Sequence, residues 1–349
     1  MNRPPDRQSP LPTRRRLIGL LAISGIVALA TACGGASNGA ADSSGGQVTI
    51  RVGDQSRATD LPLRLAGQLD NLPYKVEINQ FNSGPLVNQA IQAGAVDIGF
   101  MGDTPAMFAQ ASNLPVTVVG VSRYDGPGTT LVARPGSGIH SLADLKGKKI
   151  ASSKNTALHG LLLLALAKAG LSQNDITLVD VPLQTLGNTL ESGTVDAATL
   201  NEEPRLRYVK THPDAVQLTN THEVGAGYGF RIATKKALAD PAKRAALKDF
   251  VGRLVKTNAW IKAHPAEYID AYYVKERKQD PEIGRAVFAA QEATTRWVPI
   301  SDEVRQAQQK QADLFLANGL FPKPVDVAPQ FDPAVTKEFN EAVAAAGAT

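Results

Sequence analysis

Cysteine is nearly missing from this chain of 349 residues: the single one is Cys33. Disulfides and thiolate metal sites are therefore excluded from everything that follows it. The five histidines, His140, His159, His212, His222 and His264, show no H-E-x-x-H or comparable ligand spacing. No phosphate loop or dinucleotide fingerprint occurs either, so no metal, no cofactor and no catalytic residue is assigned. The apolar run Leu17 to Ala32 is sixteen residues long, short of the about 20 needed to span a bilayer. An excess of one charge sign is lacking too. Five of the 37 basic residues and one of the 33 acidic ones precede Cys33, which leaves 32 of each. The sequence pI of ≈ 9.0 thus belongs to the N-terminal segment, and nucleic-acid binding has no compositional support.

Residues 1–32 read as a signal peptide, with Arg14, Arg15 and Arg16 leading into the apolar run. Thr13-Arg14-Arg15-Arg16-Leu17-Ile18 fits a twin-arginine signal. Ordinary secretory signals also carry arginine runs, so both export routes stay open. Cys33 follows Leu29-Ala30-Thr31-Ala32, small residues that resemble a bacterial lipobox with Ala30 in place of the usual leucine. Lipidation at Cys33 is expected, anchoring the chain outside the cytoplasm on the bacterial cell membrane. Residues 33–46 hold little beyond Gly, Ala, Ser, Asn and Asp and can bury no apolar surface, which predicts a flexible tether. Gly35-Ala36-Ser37-Asn38-Gly39 inside it matches G-x-S-x-G but lacks the strand before and the helix after that the motif requires.

From Gln47 onward, short β-rich runs alternate with amphipathic ones, the pattern of an α/β fold. About 300 residues remain, enough for two domains with solid cores. Strands are expected at Val48–Val52, Tyr74–Gln80, Val96–Met101, Val116–Val121, Thr129–Ala133, Lys149–Ser152, Asp175–Val181 and Val195–Leu200. Helices are expected between them, and the chain beyond Arg231 reads as mainly helical, over Pro241–Ala263, Glu282–Thr295 and Ser301–Ala317. Ala93-Gly94-Ala95-Val96-Asp97 and Ser192-Gly193-Thr194-Val195-Asp196 echo one another, each joining a helix to a strand. Glycine supplies the left-handed helix stop in both. The echo suits two lobes of similar build, although short turns of this kind also converge on such residues.

Three turns share one physical theme, a strand ending in a polar turn that opens a helix. They are Phe100-Met101-Gly102-Asp103-Thr104-Pro105, Ser152-Ser153-Lys154-Asn155-Thr156 and Gly53-Asp54-Gln55-Ser56. In the first, Thr104 stands where an N-cap belongs and Pro105 fits the first helical position. Helix N-termini carry free N–H groups and about half a positive charge, so converging ends can hold a small anion. Each turn taken alone is equally explained by helix capping. Arg123, after a strand, could pair with an anion or simply be solvated. Asn201-Glu202-Glu203-Pro204 suggests another helix start, where Glu202 would repel an anion or recruit a cation. His159 could touch a ligand or pack, and Trp260 and Trp297 read as helical core residues.

Gly94-Ala95-Val96-Asp97-Ile98-Gly99-Phe100-Met101-Gly102-Asp103-Thr104-Pro105 resembles the solute-binding proteins of sulfonate, taurine and nitrate ABC importers. So do Thr129–Arg134, Ser141–Ala151 and Pro299–Val304, together with Gln311-Ala312-Asp313 and Gly319-Leu320-Phe321-Pro322. The resemblance implies a periplasmic-binding-protein type II fold. Two α/β lobes would be joined by a two-strand hinge, with a helical C-terminal region packed on lobe one. Lobe one would comprise 48–132 and 227–327, lobe two 133–226, and 328–349 would be a C-terminal tail, with crossings near Val132–Pro135 and Gly225–Gly229. Gln55, Gly102, Asp103 and Thr104 would line the cleft from lobe one, and Ser153, Asn155 and Thr156 from lobe two. Arg123, Asn201 and Glu202 are the further candidate ligand contacts. The partners implied are a small polar or anionic solute, an ABC permease and its ATPase, and the membrane through the N-terminal lipid, with the protein itself a monomer and not an enzyme. Two alternatives stay open: a related pyrimidine-precursor synthase, and a lipid-anchored solute sensor uncoupled from transport. Family members often carry Gly-Ser-Ser-Ala-His where Lys154–Leu158 stands, and Trp-Asp-Pro near Asn201–Pro204. Both departures lie in the lobe that helps select the ligand.

Overall fold

The computed structural model describes residues 47–55, 57–225 and 227–347. The signal segment, Cys33, the tether, Ser56 and Ala226 lie outside the described residues. The strands are β1 (Thr49–Gln55), β2 (Lys75–Phe81), β3 (Ile98–Gly102), β4 (Val116–Tyr124), β5 (Thr130–Ala133), β6 (Lys149–Ser152), β7 (Thr177–Asp180), β8 (Ala197–Leu200), β9 (Val216–Asn220), β10 (Tyr228–Thr234) and β11 (Thr295–Val298). Between and after them run α1 (Asp60–Leu65), α2 (Gly84–Gln92), α3 (Asp103–Ala111), α4 (Ala157–Lys168), α5 (Leu186–Glu191), α6 (Glu202–Thr211), α7 (Lys235–Ala239), α8 (Pro241–Ala263), α9 (Pro265–Tyr268), α10 (Pro281–Ala290), α11 (Asp302–Ala317) and α12 (Pro333–Ala345).

Two sheets result. The first has the order β11-β4-β10-β3-β1-β2 and the second β7-β6-β8-β5-β9. In each, parallel neighbours carry the βα units and one antiparallel strand, β10 or β5, sits in the interior of the sheet. Side-chain alternation along a strand separates the cores. Leu131 and Ile150 point into one core of the second sheet with Leu161, Leu162 and Leu166. Their chain neighbours Val132 and Ala151 point to the other, with Leu186, Leu190 and Leu200. Because α4 is apolar on every side it must be buried on every side. Its Leu163 packs away from the sheet, onto Met107 of α3 and Phe315 of α11.

The echoed segments do the same work in both sheets. Gly94 (φ 71°) and Gly193 (φ 70°) take the left-handed stop. The Asp97 backbone N–H then donates to the Arg51 carbonyl at 2.7 Å, while its Oδ2 accepts from the Arg51 N–H at 2.9 Å. Asp196 repeats this with Lys149, at 2.8 Å and 3.0 Å. Each aspartate carbonyl accepts from an antiparallel strand segment, at Thr234 and Arg134 respectively. One aspartate, through its backbone and its carboxylate together, thus ties three segments of each sheet.

Several expectations need correction. β5 pairs on both sides within the second sheet, so the first crossing lies between Tyr124 and Thr130 and not at 132–135. Gly126 and Gly128 fit there because a Cβ would meet the Ala290 carbonyl and the Thr221 hydroxyl respectively. The supposed tail contains α12, capped by Asp332 with Pro333 in its first turn. Its Val335, Phe339 and Val343 enter the first sheet's core. Trp297 lies in strand β11 rather than a helix, since α10 ends at Ala290.

Candidate functional site

Strands β3, β6 and β8 each end at the gap between the sheets and open directly or nearly so into α3, α4 and α6. Strand ends of this kind are where open α/β sheets bind ligands. The three helix N-termini surround a chamber of ≈ 190 Å³ whose lining includes Gln55, Gly102, Asp103, Thr156, Ala157, Leu158, Asn201 and Tyr124. A Cβ on Gly102 would stand 3.0 Å from the Ala157 Cβ. Glycine there lets the ends of α3 and α4 meet across the gap.

The three ends differ in charge. Helix α3 carries its own carboxylate: Asp103 Oδ1 accepts from the Thr104 N–H at 2.7 Å and Oδ2 from the Gly227 N–H at 3.4 Å. Burial pushes the Asp103 carboxyl above its ordinary range, opposed by those two N–H groups. Helix α6 has Glu202 and Glu203 in its first turn, with the Glu202 carboxylate gripped by the Arg205 guanidinium. Only α4 among the three has neither an acidic first turn nor a side-chain cap. Its Thr156 hydroxyl donates instead to the Ser153 carbonyl at 2.7 Å. The Ala157 and Leu158 N–H groups at that end are a ready site for an anion.

A cation stands behind the chamber wall. The Arg231 guanidinium lies 4.5 Å from the Phe100 ring centre and 4.4 Å from that of Trp297, and its Nη1 donates to Ser122 Oγ at 2.5 Å. No carboxylate pairs with it among the described residues. Withdrawal from water pulls its pKa down to about 10, so it is still charged at neutral pH. Its field favours a negative guest on the far side of Phe100.

The structure gathers Gln55, Gly102, Asp103, Thr156 and Asn201 at this chamber and places the other candidates elsewhere. Gly102, not Thr104, is the N-cap of α3. Thr104 is fully buried, with its hydroxyl accepting from Gln311 at 3.3 Å. Arg123 lines a separate cavity with Glu303 and lies over the Tyr228 ring. Asn155 takes φ 62° and faces a groove beside Pro85 and Phe108. Ser153 lines neither chamber, serving instead as the acceptor for Thr156. His159 is buried, held by the Asn155 N–H and by Gln173 at 2.7 Å, which makes it a packing residue. Glu202 borders a second chamber rather than the first.

That second chamber, ≈ 560 Å³, shares Phe100, Tyr124, Leu183, Asn201 and Gln291 with the first and continues it toward Tyr272, Tyr273, Arg277 and Glu292. The Glu292 carboxyl is pushed up to about 7 by burial, against the pull of the Tyr273 hydroxyl and Arg277. Tyr272, Tyr273, Arg277 and Glu292 sit in no polar strand-end turn, so turn chemistry could not reveal them. The one sequence signal is that three of the chain's seven tyrosines fall between 268 and 273.

The sequence model described as NMT1/THI5 like matches residues 74–268, more than half of the chain. The periplasmic aliphatic sulphonate binding protein SsuA from Escherichia coli is similar in structure, with a TM-score of 0.73 and 25% identity, over 82% of this chain and 92% of that one. The alkanesulfonate-binding protein SsuA from Xanthomonas axonopodis pv. citri, solved bound to MOPS, gives a TM-score of 0.73 at 29% identity, over 82% of this chain and 98% of that one. The desulfurization enzyme DSZB shares the fold at 15% identity and a TM-score of 0.55, over 84% of this chain and 99% of that one. The architecture by itself therefore does not separate binding from catalysis; the site must.

Proposed function

The chain belongs to the NMT1/THI5-like family, and from that premise we propose that it is the extracytoplasmic solute-binding component of an ABC importer, taking a small solute with a sulfonate-like anionic group. Residues 47–124 with 228–347 form one lobe and 130–220 the other. The solute bridges the two lobes and favours their closed arrangement. A permease and its ATPase receive it, and a lipid on Cys33 holds the protein at the membrane as a monomer. The observation that carries the reading is the bare N-terminus of α4, opening into the chamber with free N–H donors and no resident carboxylate. A sulfonate needs such donors, because it is charged at every physiological pH and has no proton to give. Micromolar binding requires about −8.2 kcal/mol, within reach of several charge-assisted hydrogen bonds and the burial of a short carbon chain.

Catalysis is disfavoured by the same residues. Among the described residues, no serine, threonine or cysteine stands hydrogen-bonded to a base in either chamber, as acyl-transfer chemistry would require. A thermal-shift screen of alkanesulfonates, sulfate esters, taurine, nitrate and pyrimidines tests the proposal. A sulfonate should raise Tm, and Ala157→Pro should abolish that rise. Proline suits the first turn of a helix and removes only a donor, so the variant should melt near the wild type. No shift with any anion, or a full shift in the variant, contradicts the reading.

A further inference from the structure

Helix α6 has two packed faces. Glu202 and Tyr208 are buried, and Tyr208 joins the second sheet's core with Leu186, Leu190 and Leu200. On another face Glu203, Leu206 and Lys210 follow one another at spacings of three and four residues, which sets them in one row along the helix. That row meets the half of the chain that builds the first sheet. The Arg277 guanidinium donates to Glu203 at 3.2 Å, and the Lys210 ammonium to Glu282 at 2.7 Å. Between them in the row, Leu206 packs against the cluster that holds Tyr268, Ile283 and Val287. Every other member of that cluster lies at 61–65 or 260–288, so Leu206 reaches it only by crossing from one half to the other. An apolar centre with a polar rim is the build of a docking surface. The opposite polarity of its two ends fixes the register, because a shifted or reversed α6 would bring like charges together.

Glu203, Arg207, Arg277 and Val287 border the second chamber, whereas Gly102 and Ala157, where α3 meets α4, border the first. The chambers therefore lie between two contacts of the halves. A hydrogen bond from Gln184 Nε2 to the Asn82 carbonyl at 2.9 Å adds a third tie. We infer that the seam between α6 and α10 is a latch: it holds the halves together beside the second chamber, so that Leu206, Lys210 and Glu282, which line neither chamber, set how tightly a solute is retained. This rests on the solute-binding reading above and adds residues that govern retention without touching the solute. When only the joined arrangement binds well, affinity is scaled by the fraction of molecules in it. Weakening the seam lowers that fraction and leaves the anion contacts at α4 as they are.

Calorimetric titration of the full chain with butanesulfonate reads that scaling. Lys210→Glu and Glu282→Lys each set like charges against one another and should each weaken binding by about threefold, in keeping with an exposed pair. A long-range field acting on the anion would instead move the two in opposite directions. Combining them restores an opposite-charge pair and should return the affinity to within about twofold of the wild type. Leu206→Asn removes the apolar centre and should weaken binding by about tenfold. The Tm of each solute-free variant should stay near the wild type, because none of the three side chains is buried in a core of its own half; a purely structural role would lower Tm and leave affinity alone. Unchanged affinities, or losses that the double variant fails to recover, overturn the latch and leave the anion site intact. If butanesulfonate binds none of these proteins, the wild type included, the anion site falls and small-angle X-ray scattering judges the seam. A radius of gyration larger in Lys210→Glu than in the wild type, and restored in the double variant, upholds it; equal radii overturn it. The exposed pair decides the matter even if Leu206→Asn fails to fold.

Discussion

Glu292 is the residue whose chemistry departs most from its type. A glutamate in the unfolded chain titrates near 4.5, and in the fold this one is pushed up to about 7 by burial. The folded state therefore holds the extra proton between those values, and the stability it contributes is present at low pH and lost as pH rises through about 7. The full difference is on the order of 3 kcal/mol. Urea unfolding from about pH 5 to about pH 8 should show wild-type stability falling relative to Glu292→Gln, which cannot ionise. Parallel pH profiles would mean the carboxyl is well solvated. Nothing local in the sequence announces this group. Its environment is assembled from the tyrosines at 268–273 and the chamber wall, which are brought together only by the packing of α9 and the π-helical turns Ile269–Glu276 onto α10.

At the scale of elements, the contact between α3 and α4 fixes the site. Gly160 on α4 faces Thr104, and an added Cβ would stand 2.1 Å from Thr104 Oγ1. Gly160→Ala should thus cost about 1–3 kcal/mol through overpacking, and Thr104→Ala should recover much of it in the double variant, as a double-mutant cycle would measure. Additive losses would place the strain elsewhere. The starts of α3, α4 and α6 were legible in the sequence to within two residues, from the threonine or proline that follows each strand end. Which of the polar residues at those starts face a ligand was not. Thr104 and Gly102 are both plausible caps by type, and the choice depends on Gln308 and Gln311 of the distant α11, which bind the Asp103 carbonyl and the Thr104 hydroxyl. The strands β9 and β11, five and four residues long, carry too little pattern to stand out. Helix α12 was hidden behind a proline-containing stretch that reads as a tail.

On the scale of the whole molecule, two sheets of similar construction meet through Gly102 and Ala157 and through the apolar seam of Met107, Leu163 and Phe315. The repeated segments around Asp97 and Asp196 were visible in the sequence as an echo, which suited two lobes of similar build but was equally open to convergent turn chemistry. The exact crossing was not visible, since β5 is apolar enough for either sheet. If closure across Gly102 is needed for capture, Gly102→Val should wedge the halves apart and weaken solute binding by about tenfold or more. Its backbone, at φ −70°, accepts a side chain without strain, so each sheet's core should persist in circular dichroism and melting. An unchanged affinity would show that the halves need not touch.

The proposed function stands on an anionic group docking at the bare end of α4. Amide NMR on the full chain, titrated with butanesulfonate, tests it most directly. The Ala157 and Leu158 N–H resonances should move first and furthest, as expected for amides that gain a charged acceptor. Saturable binding with those two amides unmoved would contradict it.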